Sequence, residues 1–92
     1  MGLKFDPAVQ DFVRTLAPSP KKRIQAALAL LRDDPRAEGL DVKVLKKHGP
    51  ERFFRARVGA YRIIYSRRQK VTYVWRIIHR SEGYGWFERL DP

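Results

Sequence analysis

Apolar side chains recur at helical spacing in two segments of the N-terminal third. The first segment has one apolar stripe, made of Val9, Phe12, Val13 and Leu16. Asp6 followed by Pro7 marks its start, because Asp caps helix N-termini and proline suits the first helical position. The second segment has an apolar stripe made of Ile24, Ala27, Leu28 and Leu31. We predict that Ser19 caps this helix with Pro20 at its first position, and the short connection at Pro18–Pro20 predicts an antiparallel helical hairpin.

From residue 52 onward the helical period gives way to the alternation of strands. We predict strands at 52–58, 61–66 and 71–78, separated by a tight turn at Gly59–Ala60 and a polar turn at 67–69. The first strand should place Phe54, Ala56 and Val58 on one face and Phe53, Arg55 and Arg57 on the other. Turns this short allow only an antiparallel meander.

The order of these segments predicts an α+β fold. Helices come first and strands follow without βαβ alternation, so the hairpin should cover one face of a twisted antiparallel sheet, in the order β-α-α-β-β-β. Leu3–Phe5 has the pattern of a short first strand, whereas Val42–Leu45 is short and ambiguous. A chain of 92 residues can hold one core, so we expect a single domain, 1–92.

The composition excludes several classes of site. The chain has no cysteine, which excludes disulfides, thiolate zinc sites and thiol catalysis. Neither His48 nor His79 is accompanied by an acidic cluster, so we expect no metal and no small-molecule cofactor, and His79 is predicted to be a strand-end histidine with a local hydrogen bond. No apolar run is long enough to span a membrane, and the acidic N-terminus does not suit a signal peptide, so we expect a cytoplasmic protein.

The positive charge of the chain is concentrated in its second half. The net charge is +10, with 8 basic and 6 acidic residues up to Leu45 and 12 basic and 4 acidic residues after it. Nine of those 12 bases are arginine, whose planar fork holds phosphate bidentately and stacks on bases. Because these arginines alternate with aromatic residues, the pattern favours a polyanionic partner such as nucleic acid.

A set of arginines and one tyrosine form the candidate functional site. Arg55 and Arg57 share a face of the first meander strand, Arg62 starts the second, and Arg80 lies just past the third. Tyr84 follows within a loop's reach. Such a set can clamp a phosphate, stabilise its transition state and stack a base on the aromatic ring.

Two stretches resemble a known family. The segment Phe54–Tyr65, FRARVGAYRIIY, resembles the Y-R-x-R-V-G-x-Y-R-I-I-Y core of the RelE/ParE toxin superfamily. Ile77–Arg80 with Tyr84 resembles its x-x-H-R-x-x-x-Y ending, and the helical hairpin with Leu45–Lys46 also fits. The resemblance implies a helical hairpin on an antiparallel sheet, and the toxin of a type II toxin–antitoxin pair.

In the RelE-like branch, the resemblance implies ribosome-dependent cleavage of mRNA in the A site, which inhibits translation. The ribose 2′-OH attacks the neighbouring phosphate without metal and leaves a 2′,3′-cyclic end. The predicted catalytic residues are Arg57, Arg62, Arg80 and Tyr84. The predicted RNA-binding residues are Arg55, Lys46, Lys47, Arg52 and Arg76. The expected partners are the ribosome with its mRNA and a cognate antitoxin, whose acidic, partly disordered segment would wrap the basic surface and fold on binding.

The sequence departs from the RelE pattern in the residue type of its strand bases. Positions 55 and 57 are often lysine in that branch, and lysine can lose a proton when its pKa is depressed, whereas arginine stays protonated and is a poor general base. Either Lys46, Lys47 or Tyr84 takes the 2′-OH proton, or catalysis depends on transition-state stabilisation. The alternatives are a ParE-like inhibitor of DNA gyrase without catalysis, and a degenerate nucleic-acid-binding relative.

Overall fold

The computed structural model describes residues 2–33, 38–48 and 51–81, with the backbone alone at 46–48. In that part of the chain, two helices and five strands follow one another in the order β-α-α-β-β-β-β. They are β1 (Gly2–Phe5), α1 (Pro7–Arg14), α2 (Pro18–Asp33), β2 (Asp41–His48), β3 (Glu51–Val58), β4 (Tyr61–Arg68) and β5 (Val71–His79). The predicted α+β class and the antiparallel meander of β3, β4 and β5 are confirmed.

Both helices begin near the predicted prolines. Asp6 caps α1 as predicted, since its Oδ1 accepts a hydrogen bond from the backbone N–H of Ala8 at 3.0 Å. Helix α2 begins at Pro18, two positions before the predicted start at Pro20. Its first turn tolerates both prolines, because the first N–H groups of a helix have no intrahelical partner to lose. None of the helices in the described ranges is long and apolar enough to cross a membrane.

The sheet has the strand order β1-β5-β4-β3-β2 and differs from the prediction at both edges. The ambiguous stretch Val42–Leu45 is part of an eight-residue strand, β2, which pairs antiparallel with β3. Its lysines hid this strand, because charged side chains are typical of an edge strand and weaken its apolar pattern. The other edge strand, β1, pairs parallel with β5, so the sheet is mixed rather than wholly antiparallel.

The helices cover one face of the sheet, which we call the helix face. We call the opposite face of the sheet the open face. The alternation predicted for β3 is confirmed: Phe54, Ala56 and Val58 pack in the core beneath the helices. That core also takes the predicted helical stripes, with Ile24 and Leu31 almost fully buried. On the open face, the strands β3 and β4 contribute Glu51, Phe53, Arg55, Arg57, Arg62, Ile64 and Ser66.

Candidate nucleic-acid interface

Four of the predicted arginines lie at one end of the open face beside one carboxylate. We call this set the arginine end: Arg55, Arg57, Arg62 and Arg80, with Asp41. In the ladders, Arg57 lies opposite Arg62 on one side and opposite Asp41 on the other. The backbone N–H of Arg80 donates to the carbonyl of Ala60 at 2.7 Å, which extends the β4–β5 ladder beyond His79. The register therefore places the predicted catalytic arginines at the same end of one face.

The pairing of Arg57 with Arg62 is electrostatically unfavourable for the isolated sheet, because like charges directly opposite each other destabilise a ladder. Asp41 offsets part of this charge. Its Oδ2 lies 3.8 Å from Nη1 of Arg55 and 3.9 Å from Nη1 of Arg57. Both distances are too long for hydrogen bonds, so the carboxylate acts on these arginines only as a nearby charge. The arginine end keeps a positive excess that suits an anionic ligand.

Arg55 is the most buried member of the arginine end. Its side chain is 9% exposed, and its buried Nη1 has no hydrogen-bond acceptor among the described residues. A buried polar group is costly unless it is hydrogen-bonded, and a guanidinium cannot lose its charge to avoid that cost. A phosphate oxygen placed against Arg55 would supply the acceptor that Nη1 lacks.

The register separates three of the predicted RNA-binding residues from the arginine end. Lys46 and Lys47 lie opposite Phe53 and Arg52, near the far end of β3. Arg52 stands five positions from Arg57 on that strand, a separation of ~17 Å, and an odd separation puts it on the opposite face. These bases belong to the wider positive surface of the protein rather than to the arginine end.

Arg76, also predicted to bind RNA, is held by the protein itself. Its Nη1 lies 2.9 Å from Oδ1 of Asp6 and 2.6 Å from the carbonyl of Trp75. The pair ties β5 to the cap of α1. The pKa of the Asp6 carboxyl is lowered, first by the hydrogen bond from the Ala8 N–H and then by Arg76, against the raising effect of burial. The guanidinium of Arg76 therefore anchors a helix as well as adding positive charge.

The two remaining residues to be located are Tyr84 and His79. Tyr84 lies outside the described residues. His79 has the local hydrogen bond that the sequence predicts, with its Nδ1 2.8 Å from Oγ of Ser81. It packs edge to face against Tyr61, which in turn contacts Phe12 of α1, so the imidazole lies on the helix face. Position along the strand thus excludes His79 from the opposite face where the arginines lie.

Asp41 is the residue of this site that sequence reasoning missed. It directly precedes the ambiguous stretch Val42–Leu45, and only the β2–β3 ladder sets it opposite Arg57. An acidic residue directly before an alternating segment is the signal that could have found it, once that segment is recognised as a strand. Within the described ranges, no three His, Asp or Glu side chains form a group suited to a metal ion.

Comparison with known proteins places the chain in a family. The model of the family described as "ParE toxin of type II toxin-antitoxin system, parDE" matches residues 4–84. A chain of the archaeal RelE–RelB complex from Pyrococcus horikoshii OT3 is similar in structure, with a TM-score of 0.78, 27% identity, and coverage of 89% of this chain and 97% of that one. A chain of the RelB–RelE antitoxin–toxin complex from Methanococcus jannaschii shares the fold, with a TM-score of 0.72, 22% identity, and coverage of 91% and 98%.

No curated protein matches the sequence. The family match, however, includes both helices, the strands β2 to β5 and the second half of β1. The resemblance that the FRARVGAYRIIY segment suggested is thereby confirmed at the level of the superfamily. The chain belongs to the ParE toxin family of type II toxin–antitoxin systems.

Proposed function

We propose that this toxin is a ribosome-dependent mRNA endonuclease. The observation that carries the proposal is the cross-strand pair of Arg57 and Arg62, with Arg80 at the same end of the open face. A protein that only had to fold would gain stability by separating these charges. Their concentration is explained if a phosphate of the RNA backbone lies between them.

The reaction would be a metal-free transesterification. The 2′-OH loses its proton and its oxygen forms a bond to the adjacent phosphorus, while the bond to the 5′-oxygen breaks. The leaving 5′-oxygen takes up a proton from water, so the products are a 2′,3′-cyclic phosphate and a 5′-hydroxyl. Negative charge grows on the non-bridging oxygens as the transition state forms. Arg57, Arg62 and Arg80 would donate hydrogen bonds to those oxygens, and Arg55 would hold a flanking phosphate.

The proton of the 2′-OH needs an acceptor, and among the side chains that the structure describes Asp41 is the best placed candidate. Its carboxylate lies against Arg55 and Arg57 and is 58% exposed, so it is open to an incoming ribose. Lys46 lies opposite Phe53, four positions and ~13 Å along β3 from Arg57. We assign Asp41 as the base, with Tyr84 stacking on or orienting a nucleobase.

Two macromolecular partners complete the proposal. The basic surface outside the site, which includes Lys21, Lys22, Arg67 and Arg68, would grip ribosomal RNA, so the affinity should fall steeply as salt rises. The solved relatives are RelE–RelB complexes, which supports a cognate antitoxin for this chain as well. An acidic segment of that antitoxin would neutralise the positive excess and fold as it binds.

The decisive experiment is primer extension on mRNA from an in vitro translation reaction, with and without the toxin. Defined cuts that require ribosomes are expected with the wild type and should disappear with Arg80→Ala, while the circular dichroism spectrum stays unchanged. Arg14→Ala is the matched control, because it removes an exposed arginine of α1 that has no assigned role in binding or cleavage. Full cleavage by the folded Arg80→Ala variant would overturn the assignment.

Asp41→Asn tests the assignment of the base. A general base contributes about 100- to 10,000-fold to a rate, so cleavage at saturating toxin should fall by that factor. If Asp41 were only a counter-ion, its loss would tighten phosphate binding and leave the cleavage rate unchanged, and Asp41 would not be the base.

A second function is favoured by the family itself, whose description is that of the ParE toxin. A ParE-like inhibitor would bind DNA gyrase and perform no catalysis. It predicts inhibited supercoiling in a reconstituted gyrase assay and intact mRNA in the translation reaction. The two assays, run on the same protein preparation, give opposite outcomes for the two functions.

A further inference from the structure

The open face carries a pocket at the end opposite to the arginines, where β3 begins and β4 ends. Its volume is about 350 Å³, which lies in the range of small-molecule sites. The residues that give it its chemistry are Lys4, Glu51, Ser66, Arg68, Tyr73 and Trp75. We call this part of the open face the aromatic end.

A bulge in β5 creates the aromatic end. Ile64 pairs with Arg76 and Tyr65 with Val74, so Trp75 is the extra residue of the ladder. Its indole lies against the buried pair Phe53 and Ile64 on the open face. A bulge re-aims a side chain in this way, and bulges are enriched beside functional sites.

A chain of hydrogen bonds holds the indole in place. The Nε1–H of Trp75 donates to Oγ of Ser66 at 2.8 Å, and Oγ of Ser66 donates to Oε2 of Glu51 at 2.9 Å. The ring of Tyr73 lies 4.4 Å from that of Trp75, tilted by 47°. Both rings are only partly buried, so the pocket presents two fixed aromatic surfaces to solvent.

The chemistry of the pocket matches a nucleotide. Aromatic faces stack on unpaired bases, and cations beside them bind the phosphates that link those bases. Lys4 and Arg68 supply such cations at the pocket wall. The Glu51 carboxylate accepts hydrogen bonds and would pair with the exocyclic amino group of a base, while it disfavours an acidic peptide.

The pocket and the arginine end lie along one strand. Glu51 and Arg57 are six positions apart on β3, a separation of ~20 Å, and an even separation puts both on the open face. A single strand of RNA following β3 would pass from one to the other within a few nucleotides.

We propose that the aromatic end binds an unpaired nucleobase of the same RNA strand whose backbone the arginine end holds. The assignment of RNA as the ligand rests on the proposed function. Because of Glu51, the pocket should prefer cytosine to uracil: the two rings have the same size, but only cytosine carries an amino group for the carboxylate.

The test uses Trp75 as its own reporter. The chain has 2 tryptophans, so Trp86→Phe leaves Trp75 as the single indole. Fluorescence of this variant is titrated with hexacytidylate, with hexauridylate and with an abasic strand of the same length. We expect quenching by both hexamers, about tenfold tighter for cytidine, and little or none by the abasic strand.

Three variants in the same background assign the effect to residues. Tyr73→Leu should weaken hexacytidylate binding by about 5- to 100-fold, because one stacking surface is lost. Glu51→Gln should remove the preference for cytidine, since the amide can also donate to the uracil O4. Arg14→Gln, an exposed arginine on α1 with no part in either end of the open face, should leave the preference for cytidine intact. Thermal melts monitored by circular dichroism confirm that each variant is folded.

The outcomes separate the pocket from the proposed function. Equal quenching by the abasic strand, or no quenching by either hexamer, overturns the pocket even if the wild type cleaves mRNA on ribosomes. Base-dependent quenching by a protein that leaves mRNA whole supports the pocket and contradicts the endonuclease.

Discussion

The polar groups at the two ends of the open face differ in how they interact with their neighbours. At the aromatic end, Trp75, Ser66 and Glu51 are joined by hydrogen bonds of 2.8 and 2.9 Å. At the arginine end, Arg57 lies opposite a like charge, and its acidic neighbour Asp41 is 3.9 Å away. The first arrangement satisfies its groups within the protein, whereas the second concentrates positive charge that a bound anion would offset.

Under the proposed function, this difference assigns the chemistry to the arginine end. Preorganised charge that the fold does not neutralise is what stabilises charge developing in a transition state. A hydrogen-bonded aromatic surface holds a ligand in one orientation, because its own side chains are already fixed. On this view the arginine end acts on the phosphate, and the aromatic end positions the strand.

Arg57→Gln should have the largest effect on mRNA cleavage. It is therefore the most direct test of the difference between the two ends. We expect cleavage on programmed ribosomes to fall by about 100- to 1,000-fold, the usual loss when one donor to a transition-state oxyanion is removed. The melting temperature should stay the same or rise, since the like-charge pair with Arg62 is gone. A variant that melts early and keeps its activity would reverse the roles that we assign to the two ends.

Ser66→Ala, at the aromatic end, should have the opposite effect. It should lower the stability of the protein and reduce its cleavage activity little. It leaves the indole N–H of Trp75 and the Glu51 carboxylate without their partner, which costs about 1–3 kcal/mol. Urea denaturation measures the free energy of unfolding. Ser81→Ala is the matched control: its hydrogen bond to His79 is exposed, so the change should stay within about 0.5 kcal/mol.

Asp6→Ala tests the ion pair that ties β5 to the cap of α1. In that pair Asp6 holds Arg76, the neighbour of Trp75 on β5. Losing the helix cap should cost about 0.5–2 kcal/mol at neutral pH. The folded pKa of Asp6 lies below its ordinary value of 3.8, so its contribution is fully present above that pH and is lost as the pH falls through the lowered pKa. Urea midpoints of wild type and variant should converge under strong acid, and a constant difference down to that pH would contradict the pairing.

Tyr65 is buried in the core on the helix face, and its titration should have the smallest effect on stability near neutral pH. Burial raises its pKa to about 12 from 10.0, against a lowering by Arg67. The neutral phenol therefore contributes stability that is complete below pH 10 and is lost as the pH rises through about 12. Absorbance of phenolate near 295 nm should show a late step that Tyr65→Phe removes, and a step that persists in the variant would belong to another tyrosine.

Local signals were enough for most of the elements. The Asp6–Pro7 cap, the helical stripes and the alternation of β3 each depend on neighbours within a few residues, and each is confirmed. The edges of the sheet were different. Strand β2 reads as polar because it is an edge strand, and the parallel pairing of β1 with β5 connects residues about seventy positions apart.

The candidate site likewise has features that local signals predict and features that only strand pairing sets. The position of the arginines on one face could be predicted, because residue type and strand alternation identify a cationic face. The separation of Lys46 and Arg52 from that cluster, and the place of Asp41 within it, depend on register. Register is set by cross-strand packing and turns, and a one-residue difference reverses every side chain, so composition alone does not reveal it.

By itself, the sequence determined the fold class, the basic arginine-rich meander and the family, because periodicity, charge and the FRARVGAYRIIY motif are local properties. Only the tertiary structure decided which charges meet. It set Arg57 opposite Arg62, brought Asp41 beside them, and used a bulge to turn Trp75 onto the open face. The physical reason is that these contacts join separate strands, and their geometry exists only once the ladders have formed.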